Sequence, residues 1–214
     1  RAEHYARSMS NILLQGESGT GKAVLAQCIH NASSRKNEAF VMADCAAWTQ
    51  STMEAELFGV EEGTQSNRKN GRVGCLERAS GGTLFINHIQ LLPIPLQAKL
   101  LHSLEEKELF RVNGERSIPL DIRLIAAANE GLNELVLAGQ FRKDLYYHLN
   151  VLNLTMPPLR DREEDIPLLL RKFLSPWSYP VQRKLGVLQG WDIHHYDRAG
   201  YHNLYYLPSL QSFL

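Results

Sequence analysis

The sequence predicts an α/β fold in which helices flank a mostly parallel sheet. Short apolar runs typical of buried strands alternate with helix-like stretches along most of the chain. A glycine-rich segment at 16–21 joins the first of these runs to a helix, and Gly81-Gly82 introduces a later run. The chain has 214 residues, of which 44% are hydrophobic, so it is long enough to bury a core. Together these observations indicate βαβ units.

Strands and helices are expected in alternating order. The predicted strands are Asn11–Leu14, Ala39–Met42, Thr83–Ile86 and Ile122–Ala128. The predicted helices are 21–32, 51–57, 96–106 and 163–174. A β-hairpin with a two-residue type I′ turn is expected where Asn113-Gly114 separates Leu109–Val112 from Ser117-Ile118. Ligands of parallel sheets bind at the carboxyl ends of the strands, which is where the glycine-rich segment lies.

The apolar spacing also predicts which helix faces are buried. In the helix at 21–32 these residues are Val24, Leu25, Cys28 and Ile29. In the helix at 96–106 they are Leu96, Leu100, Leu101 and Leu104. The three cysteines, Cys28, Cys45 and Cys75, lack the spacing of a disulfide framework or a zinc site. They are therefore expected in or near the core, and no metal site is predicted.

Composition excludes several classes of protein. The chain has 23 Lys+Arg and 23 Asp+Glu, so its formal net charge is zero and overall charge does not favour nucleic-acid binding. The hydrophobic content excludes a disordered, highly charged chain. No apolar run approaches the roughly 20 residues that span a bilayer, and the first residues do not resemble a signal peptide. We therefore expect a cytoplasmic protein without a membrane partner.

A phosphate-binding loop is predicted at the first junction of strand and helix. The segment Gly16-Glu-Ser-Gly-Thr-Gly-Lys22 fits the pattern G-x-x-x-x-G-K in the structural context that the motif requires. Its glycines let backbone N–H groups face phosphate oxygens, and Lys22 reaches the β- and γ-phosphates. Ala23 replaces the Ser or Thr whose hydroxyl normally helps to hold Mg²⁺, so the metal must be held by other groups. The predicted nucleotide-binding residues are Gly16, Glu17, Ser18, Gly19, Thr20, Gly21, Lys22 and Ala23.

From Asn11 to about Phe173 the chain resembles the AAA+ central domain of sigma-54-dependent transcription activators, the bacterial enhancer-binding proteins. Short motifs with matching order and spacing carry this resemblance. Besides the phosphate loop they are Cys45-Ala-Ala47, Glu56-Leu-Phe-Gly59, Gly81-Gly-Thr-Leu-Phe85, Leu96-Gln-Ala-Lys-Leu-Leu101, Arg111-Val112, Asp121-Ile-Arg-Leu-Ile-Ala-Ala127, Phe141-Arg-Lys-Asp-Leu-Tyr-Tyr147, Leu149-Asn-Val151, Pro157-Pro-Leu-Arg-Asp-Arg162 and Glu164-Asp-Ile-Pro167.

The resemblance implies a P-loop AAA+ large subdomain that binds ATP. Such domains self-associate as rings, bind ATP between subunits and push a surface loop against sigma-54 RNA polymerase. By position, the resemblance implies a second nucleotide motif at 87 and 88, a sensor asparagine at Asn129, and arginines acting on the neighbouring subunit at Arg142 and position 148. These are the catalytic positions that the sequence offers.

Several of these catalytic positions depart from the family pattern. The strand that should end in Asp-Glu ends in Asn87-His88, so the carboxylate that offsets Mg²⁺ and the one that polarises the attacking water are both missing. Position 148 is His rather than Arg, whereas Arg142 and Asn129 are retained. We therefore expect ATP binding with weakened Mg²⁺ binding and impaired hydrolysis.

The loop that contacts sigma-54 in the family also departs from its pattern. The family stretch G-A-F-T-G-A corresponds here to Gly63-Thr-Gln-Ser-Asn-Arg68, which has lost the apolar tip. Contact with RNA polymerase is therefore not expected. The loss of this motif, together with the eroded second nucleotide motif, gives the chain a similarity to the family branch of dihydroxyacetone-operon regulators.

After Leu174 the resemblance stops. The helical lid subdomain and the helix-turn-helix DNA-binding domain of the family have no counterpart in 175–214, so DNA binding is expected only through a domain outside this chain. The predicted organisation is an ATP-binding domain at 1–174, incomplete at its N-terminus, followed by a tail at 175–214 that is either divergent or a frame-shift product. Three functions stay open: a nucleotide-binding regulatory domain, an active sigma-54-dependent ATPase, and a non-functional fragment.

Overall fold

The computed structural model describes residues 2–61, 71–129 and 131–174. The chain divides into two units, one of residues 1–157 and one of residues 158–214. Two sequence predictions lie outside the described residues: those for the loop Gly63–Arg68 and for the tail at 175–214. The two units are therefore described separately, and within the second only 158–174.

The first unit contains a parallel sheet of five strands. In chain order these are β1 (Ile12–Gln15), β2 (Phe40–Asp44), β3 (Thr83–Asn87), β6 (Arg123–Ala128) and β7 (Leu152–Thr155). Their order in the sheet is β2-β3-β6-β1-β7, and each neighbouring pair is parallel. A separate antiparallel pair consists of β4 (Glu108–Phe110) and β5 (Ser117–Pro119). The mostly parallel sheet and its four predicted strands are confirmed, and β7 is an additional edge strand.

Helices connect the strands of this unit. They are α1 (Ala2–Ala6), α2 (Lys22–Asn31), α3 (Gln50–Phe58), α4 (Cys75–Arg78), α5 (Ile94–Glu106), α6 (Leu132–Leu137) and α7 (Lys143–Leu149). The predicted helices at 21–32, 51–57 and 96–106 are confirmed as α2, α3 and α5. Thr49 caps α3 through a reciprocal arrangement with Thr52, which explains where that helix begins.

The core lies on both faces of the sheet. Because side chains alternate along a strand, Leu13 joins one apolar cluster while Ile12 and Leu14 join the other. All six residues of β6 are buried, as expected of a strand with neighbours on both sides and helices on both faces. The carboxyl ends of the strands therefore extend from a buried apolar core.

The buried face of α2 differs from the predicted one. Val24 and Cys28 are exposed, and the buried residues are Lys22, Ala26, Ile29 and His30. The predictions for Val24 and Cys28 were wrong because Lys22 enters the phosphate loop, and residues four, seven and eight positions later then share its face. Cys45 and Cys75 are buried as predicted, and burial raises the pKa of the Cys45 thiol to about 12.

The predicted two-residue hairpin turn was also wrong. Phe110 pairs with Ser117, so residues 111–116 form a six-residue connection between β4 and β5. Val112 instead exchanges backbone hydrogen bonds with the segment after α3, receiving the N–H of Glu61 and donating to the carbonyl of Gly59. That long-range pairing removes Val112 from the hairpin, although Asn113 keeps the positive φ that a tight turn uses.

The described part of the second unit is a short turn followed by a helix. The turn is Leu159–Asp161, and the helix α8 is Asp165–Leu174, which confirms the helix predicted at 163–174. Arg162 Nη1 lies 3.6 Å from Asp165 Oδ2 in the first turn of this helix. Across the described ranges of the chain, every helix is too short or too polar to cross a membrane.

Candidate nucleotide-binding site

The loop between β1 and α2 forms a cradle that only glycine can build. Gly16, Gly19 and Gly21 have φ values of 147°, 82° and 94°, a region that other residues rarely adopt. A Cβ on Gly16 would lie 2.5 Å from the carbonyl oxygen of Met156, so the loop runs directly against the chain that leaves β7. The backbone conformation of the loop therefore favours glycine at these three positions.

Lys22 is the centre of this loop. Its side chain is only 6% exposed, and Nζ donates to the carbonyls of Gly16 at 2.6 Å and Glu17 at 2.9 Å. A third hydrogen bond, of 3.3 Å, goes to Oδ1 of Asn129. The ammonium group is thereby held inside the loop, where an anion bound to the loop N–H groups would meet it.

Thr20, Ser18, Gly19 and Ala23 are uncharged residues around Lys22 in this loop. Thr20 is buried, and its hydroxyl donates to the carbonyl of Glu17 at 2.8 Å, which closes the loop on itself. Ser18 and Gly19 are exposed at the loop tip. Ala23 is half-buried in the first turn of α2 and has no polar side-chain atom to hold Mg²⁺.

Asn129 follows β6, the neighbour of β1 in the sheet. Gln15 pairs with Ala128, so the sheet register brings Asn129 beside the start of the phosphate loop. The structure therefore places two residues that lie 107 positions apart in hydrogen-bond contact, Lys22 and Asn129. Asn129 thus contacts the phosphate loop, and its role as a sensor stays a prediction.

Asn87 and His88 meet a third residue, Asp44, at the end of the neighbouring strand. Asp44 is in register with Asn87, and Asn87 Nδ2 donates to Asp44 Oδ2 at 3.4 Å. His88 Nδ1 lies 2.8 Å from Asp44 Oδ1. Because an ionised carboxylate can only accept, Nδ1 of His88 must donate this hydrogen bond. His88 also has a left-handed backbone, at φ 54° and ψ 44°.

The environment of Asp44 favours its ionised form. Partial burial raises the pKa of this carboxyl, but hydrogen bonds from His88, the Ala46 N–H and Asn87 lower it further than burial raises it. The net pKa of Asp44 lies below its ordinary value. Asp44 is therefore a carboxylate at neutral pH. It lies on the strand next to Asn87-His88, the position where the family pattern has Asp-Glu.

The hydrogen-bond partners of Arg142 lie outside the phosphate loop. Its guanidinium makes two hydrogen bonds to Asp144, at 3.1 and 2.7 Å, and the pKa of Arg142 is raised by this pairing. Its backbone N–H donates to Oε1 of Gln97 at 2.7 Å. At position 148, the His148 carbonyl accepts from Asn11 and its side chain is half-buried on α7. Arg142 is thus presented on the surface, whereas the phosphate loop, Asn87-His88 and Asn129 lie at the carboxyl ends of strands.

Gln97 holds the segment that presents Arg142. This side chain is fully buried, and its amide donates to the carbonyls of Leu92 and Gln140 while its oxygen accepts from Arg142. Replacing Gln97 with leucine is expected to lower the free energy of unfolding by about 2–3 kcal/mol, because buried backbone groups lose their partners. Urea denaturation tests this against Gln140→Leu, an exposed side chain whose replacement should cost under about 0.5 kcal/mol. Equal losses in the two variants would contradict it.

Asp44 and Gln97 are the residues that the sequence analysis missed at this site. Asp44 stands two positions after the predicted strand Ala39–Met42, and this position indicates the carboxyl edge of the sheet. Gln97 is a polar residue on the apolar face of a helix, a position where a buried hydrogen-bonding role is expected. Both signals are present in the sequence, but neither identifies the partner.

The side chains at this edge of the sheet offer Mg²⁺ few oxygen ligands. Mg²⁺ takes oxygen ligands, typically one or two carboxylates with nucleotide phosphates and water. Asp44 contributes the carboxylate nearest to Asn87, and Asn87 contributes an amide oxygen. Within the described ranges no three His, Cys, Asp or Glu side chains gather as a metal site. These residues suit a Mg²⁺ held chiefly by nucleotide phosphates.

Comparisons with known proteins agree with this geometry. Residues 1–155 match the model of the sigma-54 interaction domain. The chain is 46% identical over 176 residues to the sigma54-dependent transcriptional regulator SfnR of Pseudomonas fluorescens, covering 82% of this chain and 48% of that protein. It is 47% identical over 180 residues to the regulatory protein AtoC of Escherichia coli, covering 84% of this chain and 39% of that protein. The chain thus spans less than half the length of these relatives.

A solved structure shows the same similarity in three dimensions. NtrX from Brucella abortus in complex with ATP superposes with a TM-score of 0.75 at 36% sequence identity. The match covers 82% of this chain and 38% of NtrX. NtrX has also been solved in complex with ADP.

Proposed function

Because the chain belongs to the family of sigma-54 interaction domains, we propose that it is the ATP-binding regulatory domain of a bacterial transcription regulator, weak or inactive in hydrolysis. Its fold is the mostly parallel P-loop architecture of AAA+ proteins. We assign the ATP-binding domain to 1–174 and leave 175–214 as a tail. The branch of dihydroxyacetone-operon regulators stays a prediction.

One observation supports nucleotide binding above all others. Lys22 is buried within the phosphate loop and contacts two loop carbonyls and Asn129. An ammonium group held in this way is positioned for phosphate oxygens that dock on the loop N–H groups. NtrX, which this chain resembles over 38% of its length, has been solved in complex with ATP and with ADP, which favours the same class of ligand here.

The proposal of weak hydrolysis rests on Asn87 and His88. When bound, Mg²⁺ offsets the phosphate charge and orients water, and it takes carboxylates in preference to amides. Asn87 is neutral, and His88 is hydrogen-bonded to Asp44 rather than replacing the shape and reach of a glutamate. Hydrolysis needs both a ligand for Mg²⁺ and a group that polarises the attacking water. Nucleotide binding needs only the phosphate loop and Lys22.

The proposed partners follow from Arg142 and from the loop sequence Gly63–Arg68. Arg142 is exposed on the surface, as an arginine that reaches a neighbouring subunit must be, which supports self-association as a ring. Contact with RNA polymerase is not proposed, because the polar loop sequence Gly63–Arg68 lacks an apolar tip. DNA binding is assigned to a domain outside this chain.

Calorimetry and phosphate release together test this function. We expect the chain to bind ATP and ADP by isothermal titration calorimetry. Phosphate release with Mg²⁺ and ATP at high protein concentration should not exceed that of a Lys22→Ala variant. Absence of any nucleotide binding would contradict the proposal. Release well above the variant's background would favour the alternative, an active sigma-54-dependent ATPase, and failure of the chain to fold would favour a non-functional fragment.

A further inference from the structure

The end of β2 contains a carboxylate that lies outside the phosphate loop and outside positions 87 and 88. Asp44 is the last residue of β2, and the parallel register places it directly beside Asn87, the last residue of β3. The carboxylate accepts from Asn87 on Oδ2, and from His88 and the Ala46 N–H on Oδ1. Its side chain is 35% exposed, so it remains open to solvent at the edge where the phosphate loop lies.

Three hydrogen bonds, from Asn87, His88 and the Ala46 N–H, use acceptor sites of this carboxylate, and about one site is left on Oδ2. An ionised carboxylate has about four lone-pair sites on its two oxygens. Mg²⁺ bound to a nucleotide keeps several waters, which donate hydrogen bonds to nearby carboxylates. A carboxylate beside position 87 can therefore interact with the hydrated metal through water.

We propose that Asp44 supplies, from the neighbouring strand, the negative charge toward Mg²⁺ that position 87 lacks. This inference rests on the proposed ATP-binding function and deepens it. Asn87 and Asp44 together present one amide and one carboxylate, so the edge retains a single negative charge, displaced by one strand. His88 is the positioning residue in this arrangement, because its Nδ1 donates to Asp44 and orients the carboxylate.

Exchanging the two side chains tests the inference. The variants are Asp44→Asn, which removes the charge, and the double variant Asp44→Asn with Asn87→Asp, which moves it to β3. The matched control is Asp121→Asn, the same chemical change at an exposed residue that precedes β6, at the opposite edge of the sheet, and pairs with Arg35. The quantity measured is the ratio of ATP affinity with Mg²⁺ to ATP affinity with EDTA, by isothermal titration calorimetry.

We expect the Mg²⁺ dependence of ATP affinity to fall when the negative charge is removed and to return when the charge is placed on β3. In Asp44→Asn the ratio should fall by about tenfold, the size of one charge-assisted interaction, while affinity in EDTA stays within about twofold of the original. The double variant should recover the ratio, and Asp121→Asn should leave it unchanged. The double variant keeps the same charge and atoms, so it also provides a reading if Asp44→Asn folds poorly.

Two outcomes would overturn the inference without touching the proposed function. One is an unchanged ratio in Asp44→Asn, and the other is a double variant whose Mg²⁺ dependence is lost. If ATP does not bind in EDTA or in Mg²⁺, the proposed function itself fails. The two failures are therefore distinguishable in one set of titrations.

Discussion

Replacing Lys22 with alanine is expected to weaken ATP binding by about a hundredfold or more. Hydrogen bonds to charged groups are each worth about 1.5–3 kcal/mol. We expect the Lys22 donors, which contact Gly16, Glu17 and Asn129, to exchange these partners for phosphate oxygens when ATP binds. The side chain is also buried, so alanine removes the positive charge from inside the loop. Isothermal titration calorimetry with ATP measures the change directly.

The control for this prediction is Lys36→Ala, which removes an exposed lysine that follows α2. It changes the net charge by the same amount but should leave ATP affinity within about twofold, because exposed charges are screened. Thermal unfolding shows whether Lys22→Ala keeps its fold. An Lys22→Ala protein that folds and binds ATP as tightly as the original would refute the assignment of Lys22 to the phosphates.

Replacing Gly16 with alanine is expected to lower the free energy of unfolding by about 2–4 kcal/mol. The new Cβ would meet the Met156 carbonyl oxygen at 2.5 Å and the Met156 Cβ at 3.2 Å. Both are close to the backbone, so the loop or β7 must move, in addition to the strain of a φ of 147°. Urea denaturation gives the free energy of unfolding.

Gly21→Ala separates the two contributions to this loss. Gly21 has a φ of 94°, but a Cβ there would have no atom within 4 Å. Its loss should be limited to backbone strain of about 1–2 kcal/mol. The expected order is therefore a greater loss for Gly16→Ala than for Gly21→Ala, and the reverse order would show that the contact with Met156 is not the dominant cost.

The fold was largely predictable because its signals are local. Buried strands are short apolar runs, and the phosphate loop depends on glycines whose conformations other residues rarely adopt, so both can be identified without knowing the partners. The same is true of Lys22, whose position one residue after the last loop glycine sets its role. The resemblance implies a sensor role for Asn129, whereas the contact between Lys22 and Asn129 depends on the pairing of β1 with β6.

The remaining features depend on contacts between distant residues. The hairpin turn at Asn113 failed as a prediction because Val112 pairs with the segment after α3, about 50 residues earlier in the chain. The role of Asp44 depends on which strand lies next to β3, and strand order is not written in any local pattern. Gln97 is identified only by the three backbone groups that it reaches.

The strand order has a consequence for how such a domain can diverge. The phosphate loop follows β1, Asn87 and Asp44 end β3 and β2, and β6 stands between the two sets. Substitutions at the ends of β2 and β3 therefore need not disturb the hydrogen bonds that shape the loop. In a domain with this strand order, the residues at the ends of β2 and β3 can therefore change independently of the loop that we propose binds the nucleotide.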